Sequence, residues 1–143
     1  MKKIIVNSPE TIEGFRVVDN GEEILKCLQN GETVMHWEGG HSMHPILMHM
    51  EYCKITPIEK LSQEDKDFSL EFLVGKPEFC PFNYPGYGDV YMVHRCTEII
   101  QRDDETYYKI EGTDGTQFGW TTDVYGIAES TGYFQNEKAV SWS

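Results

Sequence analysis

Thr97-Glu98-Ile99-Ile100-Gln101-Arg102-Asp103-Asp104-Glu105-Thr106-Tyr107-Tyr108-Lys109-Ile110 is the stretch that decides the fold. Two runs rich in β-branched and aromatic residues flank a polar tetrad. Aspartates tolerate the unusual dihedrals of a tight turn, so 102–105 is predicted to reverse the chain and pair 97–101 with 106–110. Similar short runs, bounded by Gly or Asp, occur at 90–93 and 124–128, and looser alternation appears at 33–37 and 52–58. Many short strands at close spacing predict a mainly β domain of antiparallel sheets.

One helix interrupts this pattern. In 19–31 either Asp19 or Asn20 can cap, Glu22 and Glu23 occupy the first turn, and Asn30-Gly31 supplies a stop. Ile24, Leu25 and Leu28 form its apolar face. The stretch 59–87 reads differently: charged at first, then apolar over 68–74, then Pro77, Pro81 and Pro85 among Phe79, Phe82, Tyr84 and Tyr87. It is predicted to be an insertion, part helix or strand and then a Pro/aromatic loop. Such a loop would form a lid on the core or one wall of a peptide cleft. The tail from Ser130 onward carries no motif.

The 143 residues suit one domain, with 39% hydrophobic and 13% aromatic residues, enough for a real core. The formal net charge is −12 and no stretch is basic. Contacts to phosphate need a Lys/Arg patch, so nucleic acid is not an expected partner. Cys27, Cys53, Cys80 and Cys96 are too scattered for a C-x-x-C pair and read as reduced thiols. No run approaches the roughly 7–15 apolar residues of a signal peptide or the roughly 20 of a spanning helix. The expectation is a cytoplasmic protein without membrane insertion.

The chemistry-bearing line is Val34-Met35-His36-Trp37-Glu38-Gly39-Gly40-His41-Ser42-Met43-His44-Pro45-Ile46-Leu47. A serine just beyond glycines, at the end of a strand, can sit on a sharp turn with its hydroxyl outward. Gly40 permits the dihedrals and Pro45 stiffens the exit. Backbone N–H groups around such a turn, at Gly40, His41 and Met43, can face a developing oxyanion.

Gly40-His41-Ser42-Met43-His44-Pro45 resembles the G-x-S-M-x-P nucleophile box of the signal peptidase and LexA-type serine peptidase superfamily. Its company is similar too. A short helix and a strand precede it, and Cys53-Lys54-Ile55-Thr56-Pro57 follows. Then come Gly88-Asp89-Val90-Tyr91-Met92-Val93 and Gly119-Trp120-Thr121-Thr122-Asp123-Val124-Tyr125-Gly126-Ile127-Ala128. The resemblance spans about 20–129. It implies a catalytic domain with Ser42 as nucleophile and a peptide or protein as substrate, and no cofactor. Val93-His94-Arg95 looks like the His version of the dyad, found in eukaryotic and archaeal-type signal peptidases. It makes His94 the implied base, whose intrinsic pKa suits proton transfer near neutrality. Asp114, in Gly112-Thr113-Asp114-Gly115, is the nearest match to the aspartate that would orient that histidine.

Other readings of the same residues stand beside these. His94 can be a half-buried strand histidine and Asp114 part of an Asp-Gly turn. Lys109 is a second candidate base, or a solvent-facing lysine. Ser42 can be a turn residue in a catalytically silent binding module of the same fold. His36, His41, His44 and His49, with Glu38 and Glu51, form a rival metal-binding set, although H-x₂-H across a turn would scatter the rings. No metal is expected.

Overall fold

The computed structural model describes residues 3–37, 47–60, 77–84, 88–113 and 115–139. The protein is mainly β, as the short alternating runs predict. Ten strands are described: β1 Ile4–Val6, β2 Thr11–Ile12, β3 Phe15–Val17, β4 Val34–Trp37, β5 Glu51–Pro57, β6 Pro77–Tyr84, β7 Gly88–Arg102, β8 Glu105–Glu111, β9 Gln117–Thr121 and β10 Gly126–Gln135. They form one sheet in the order β2-β3-β4-β5-β10-β6-β7-β8-β9, with β1 pairing β10 outside this path. Most pairs are antiparallel. β3–β4 and β1–β10 are parallel.

A parallel neighbour pair needs a crossover, and helix α1, Gly21–Gln29, supplies it between β3 and β4. Of the two candidate caps, Asn20 is the one used. Its Oδ1 accepts from Glu22 N at 2.9 Å and from Glu23 N at 3.2 Å. The helix stops where Gly31 takes φ +78, a left-handed conformation that costs glycine little. Its buried residues Ile24, Cys27 and Leu28 follow i, i+3, i+4 spacing and line one face. Residues 58–60 are also helical, and Glu137–Ala139 is a 3₁₀ turn.

The helix covers one face of the sheet, where Val34, Cys53, Ile55, Val93 and Ala128 meet it. The alternate residues Met35 and Tyr52 face the other way and pack with Ile12. With cover on both faces, β5 is buried at every position except the half-buried Lys54. This is the pattern of a strand sandwiched between layers. A further cluster, Cys96, Tyr108, Ile110 and Ile127, continues that second face toward β9.

Three parts differ from the sequence expectation. First, 90–93 and 97–101 are one strand, β7. It pairs β6 from Gly88 to Arg95 and β8 from Arg95 to Arg102, with a bulge between Cys96 and Glu98 where it changes partner. Second, the expected Pro/aromatic loop contains β6, an interior strand of the sheet. Pro77 is its first residue, and Pro81 lies beyond Glu78 and Phe79, the only β6 residues paired with β10. The missing N–H at each proline therefore breaks little of the ladder. Third, the tail, for which the sequence predicts no element, opens by continuing β10 from Ser130 to Gln135.

Gly126 fixes where β10 sits. It lies opposite Pro57 on one side and Phe79 on the other. A Cβ there would come within 2.9 Å of both Ile55 Cγ2 and the Thr56 carbonyl oxygen. Only glycine lets the strand enter this slot.

Candidate functional site

His94 lies on β7 in the row His94–Glu78–Ile127–Thr56 that crosses four strands. It is buried, with 8% of its surface exposed. Its ring rests on Phe118 of β9, with centroids 4.1 Å apart and planes inclined at 37°. Phe118 sits in a register shift between Ile110 and Glu111 of β8, and Gly119 beside it adopts φ +95. The bulge turns the phenyl group toward the second-face core, where it joins Cys96, Tyr108, Ile110 and Ile127.

The serine box leaves the sheet from β4 at Trp37, opposite Tyr52. Ser42, Gly40, His41, Met43 and Asp114 lie outside the described residues. Tyr52 is four positions along β5 from Thr56, so the exit of β4 and the His94 row are offset by about 13 Å along the strands. Five residues of chain, from Trp37 to Ser42, reach at most about 17 Å. Across the sheet β5, β10 and β6 stand between β4 and β7, about 19 Å at the usual strand spacing. His94 faces away from α1, since its neighbour Val93 joins the core that this helix covers.

Lys109, the second candidate base, pairs with Glu111 at 3.4 Å across from Trp120. Trp120 is 45% exposed, and this face of the hairpin is a surface. His36 and His49 of the histidine set are engaged separately. The Nδ1 of His36 is 2.8 Å from the Val18 carbonyl oxygen, to which it donates. The Nε2 of His49 is 3.1 Å from Glu137 Oε1. Among the described residues, no three His, Cys, Asp or Glu side chains are gathered as metal ligands would be. His41 and His44 lie outside those residues. Among the described residues, too, no helix is long and apolar enough to cross a membrane.

A depression of about 670 Å³ runs along the β2–β3 hairpin past Arg16, Glu32 and Lys60. It contains none of the candidate catalytic residues. Arg16 is committed there: its Nη2 and Nε bind the two carboxylate oxygens of Glu32 at 2.7 and 3.1 Å, and Nη2 lies 2.9 Å from Cys27 Sγ. The hydrogen bond from Arg16 holds the Glu32 carboxyl below its ordinary range. Burial pushes the Cys27 thiol up, so it stays protonated and unreactive near neutrality.

No family model, curated protein or solved structure matches this chain.

The return from the serine box holds a feature that the sequence reading missed. Glu51, considered there only as a metal ligand, is a carboxylate with 2% exposure. Its Oε1 accepts from Met48 N at 3.1 Å, and its Oε2 accepts from Gly132 N at 2.9 Å and from the Ser130 hydroxyl. Ser130-Thr131-Gly132 is a break in the apolar alternation of the last strand. It marks the bulge where β10 advances from Ser130 to Phe134 while β5 advances only from Cys53 to Glu51. A polar gap of that kind was the one signal available in the sequence.

Proposed function

We propose that this chain is a serine endopeptidase-like domain in which Ser42 is the nucleophile and His94 its base. An extended peptide is the substrate. His94 takes the Ser42 proton as the oxygen attacks the scissile carbonyl, and backbone N–H groups about Gly40, His41 and Met43 hold the oxyanion. The amine leaves with that proton, and a water then releases the acyl group. Asp114 orients the imidazole. The observation that carries the reading is the V-H-R histidine itself. His94 is an imidazole held against a tilted phenyl ring on the longest of the described strands, in a mainly β domain whose β4 leads directly into the serine box.

The test is covalent labelling. An alkyl fluorophosphonate reports an activated serine without knowledge of the substrate, and peptide mapping locates the adduct. We expect labelling at Ser42 that is lost in Ser42→Ala. An unlabelled wild-type protein would leave Ser42 as a turn residue.

A second reading, a silent binding module on the same fold, is favoured by one observation. With 8% exposure and Phe118 across its ring, His94 is presented to solvent only at its margin. A general base must reach the proton it removes. The labelling experiment separates the two readings.

A further inference from the structure

We propose that Glu51 is a positioning residue, a clasp that fixes the downstream stem of the serine box against the terminal strand. This rests on the reading of Ser42 as nucleophile. The chain that leaves the box reaches β5 through residues 47–50, and Met50 there adopts φ +67 although it is not glycine. Such a backbone is disfavoured for a residue with a Cβ and persists only where its surroundings over-determine it.

The surroundings do so from three directions. Glu51 N donates to Met48 O at 3.1 Å, and Gln135 N donates to Met50 O at 2.9 Å. The Glu51 carboxylate then bridges Met48 N on the box side to Gly132 N and the Ser130 hydroxyl in the β10 bulge. A buried carboxylate is expensive unless its lone pairs are filled, and here three donors fill them. The bulge aims Ser130 and Gly132 at this point just before β10 takes β1 as its parallel partner from Tyr133 to Gln135. The strained turn, the buried charge and the bulge thus converge on one object: the place where the serine segment re-enters the sheet.

Glu51→Gln tests the assignment. The amide keeps the shape but presents an NH₂ to one backbone N–H donor, so one side of the bridge opens. With the fluorophosphonate probe, we expect the saturating labelling rate at Ser42 to fall about tenfold to a hundredfold, the scale of a small misplacement of a reacting group. The probe concentration at half-maximal rate should stay the same. Glu51→Asp, which restores the charge, should recover part of the rate, and it serves as the second variant if Glu51→Gln does not fold. Labelling of both variants at the wild-type rate overturns the clasp alone. Absence of labelling in the wild-type protein overturns the nucleophile and the clasp together.

Discussion

The imidazole of His94 and the phenyl ring of Phe118 are in contact, 4.1 Å between centroids, although β8 lies between their strands in the sheet. The register shift in β9 makes the contact possible by turning Phe118 inward. Phe118 is thus both part of the second-face core and the wall that holds His94. Phe118→Ala should cost about 2–3 kcal/mol in urea denaturation, at the low end for an aromatic truncation because the ring is only half buried. It should also slow Ser42 labelling. Unchanged labelling in a destabilised variant would show that the ring serves packing only.

His94→Gln keeps a polar side chain on β7 and removes the proposed base. Loss of a general base typically costs about 10²–10⁴-fold, and a fall of that size in fluorophosphonate labelling is expected at neutral pH. A variant that labels within a few-fold of wild type would move the base elsewhere.

Gly126→Ala places a methyl against the Thr56 carbonyl, a backbone atom that cannot swing aside as a side chain would. Overpacking of this kind costs about 1–3 kcal/mol. Thermal unfolding should show a clear drop in midpoint, and faster amide exchange should concentrate in β5, β6 and β10. A midpoint equal to that of wild type would mean that the strand has room to shift.

Tyr52 gives the protein a limit at alkaline pH. Its hydroxyl donates to Gln135 Oε1 at 2.7 Å in a fully buried setting. Burial, and secondarily the charge of Asp19, push its pKa up to about 12. The unfolded phenol titrates near 10, so the folded state holds the proton more tightly. Its contribution is complete below about pH 10 and is lost as pH rises toward 12. Tyr52→Phe should cost about 1 kcal/mol at neutral pH through the lost hydrogen bond. The gap between variant and wild type should narrow above pH 10. Parallel stability curves across that window would contradict this account.

Elements governed by local chemistry were readable from the sequence. A cap at Asp19 or Asn20, an apolar face with Ile24 and Leu28, and the reversal at 102–105 all depend on neighbours in the chain. All are present, with Asn20 as the cap and Cys27 buried where Leu25 is only partly so. The features set by distant partners were not readable. Prolines argue against a strand, yet β6 places Pro77 at its first position and Pro81 beyond its pairing with β10. The polar Ser130-Thr131-Gly132 looks like the end of structure, because its partner, Glu51, is about eighty positions away in sequence. β1 to β3 are too short to show a period of two. At the candidate site, the V-H-R triplet pointed to His94, but nothing local indicated that Phe118 would lie on its ring.

The parallel pairing of β1 with β10 carries a consequence for how the chain acquires its structure. Ile4 finds its partner at Tyr133, and Asn136 donates to Asn7 across a separation of 129 residues. β1 therefore waits, unpaired, until nearly everything described has been synthesised. Closing so long a loop is entropically slow, and sheets built from such distant pairings fold slowly. During that interval the exposed Ile4 and Ile5 offer a sticky apolar edge. Folding yield should then depend on concentration and on chaperones far more than the stability of the finished sheet would suggest.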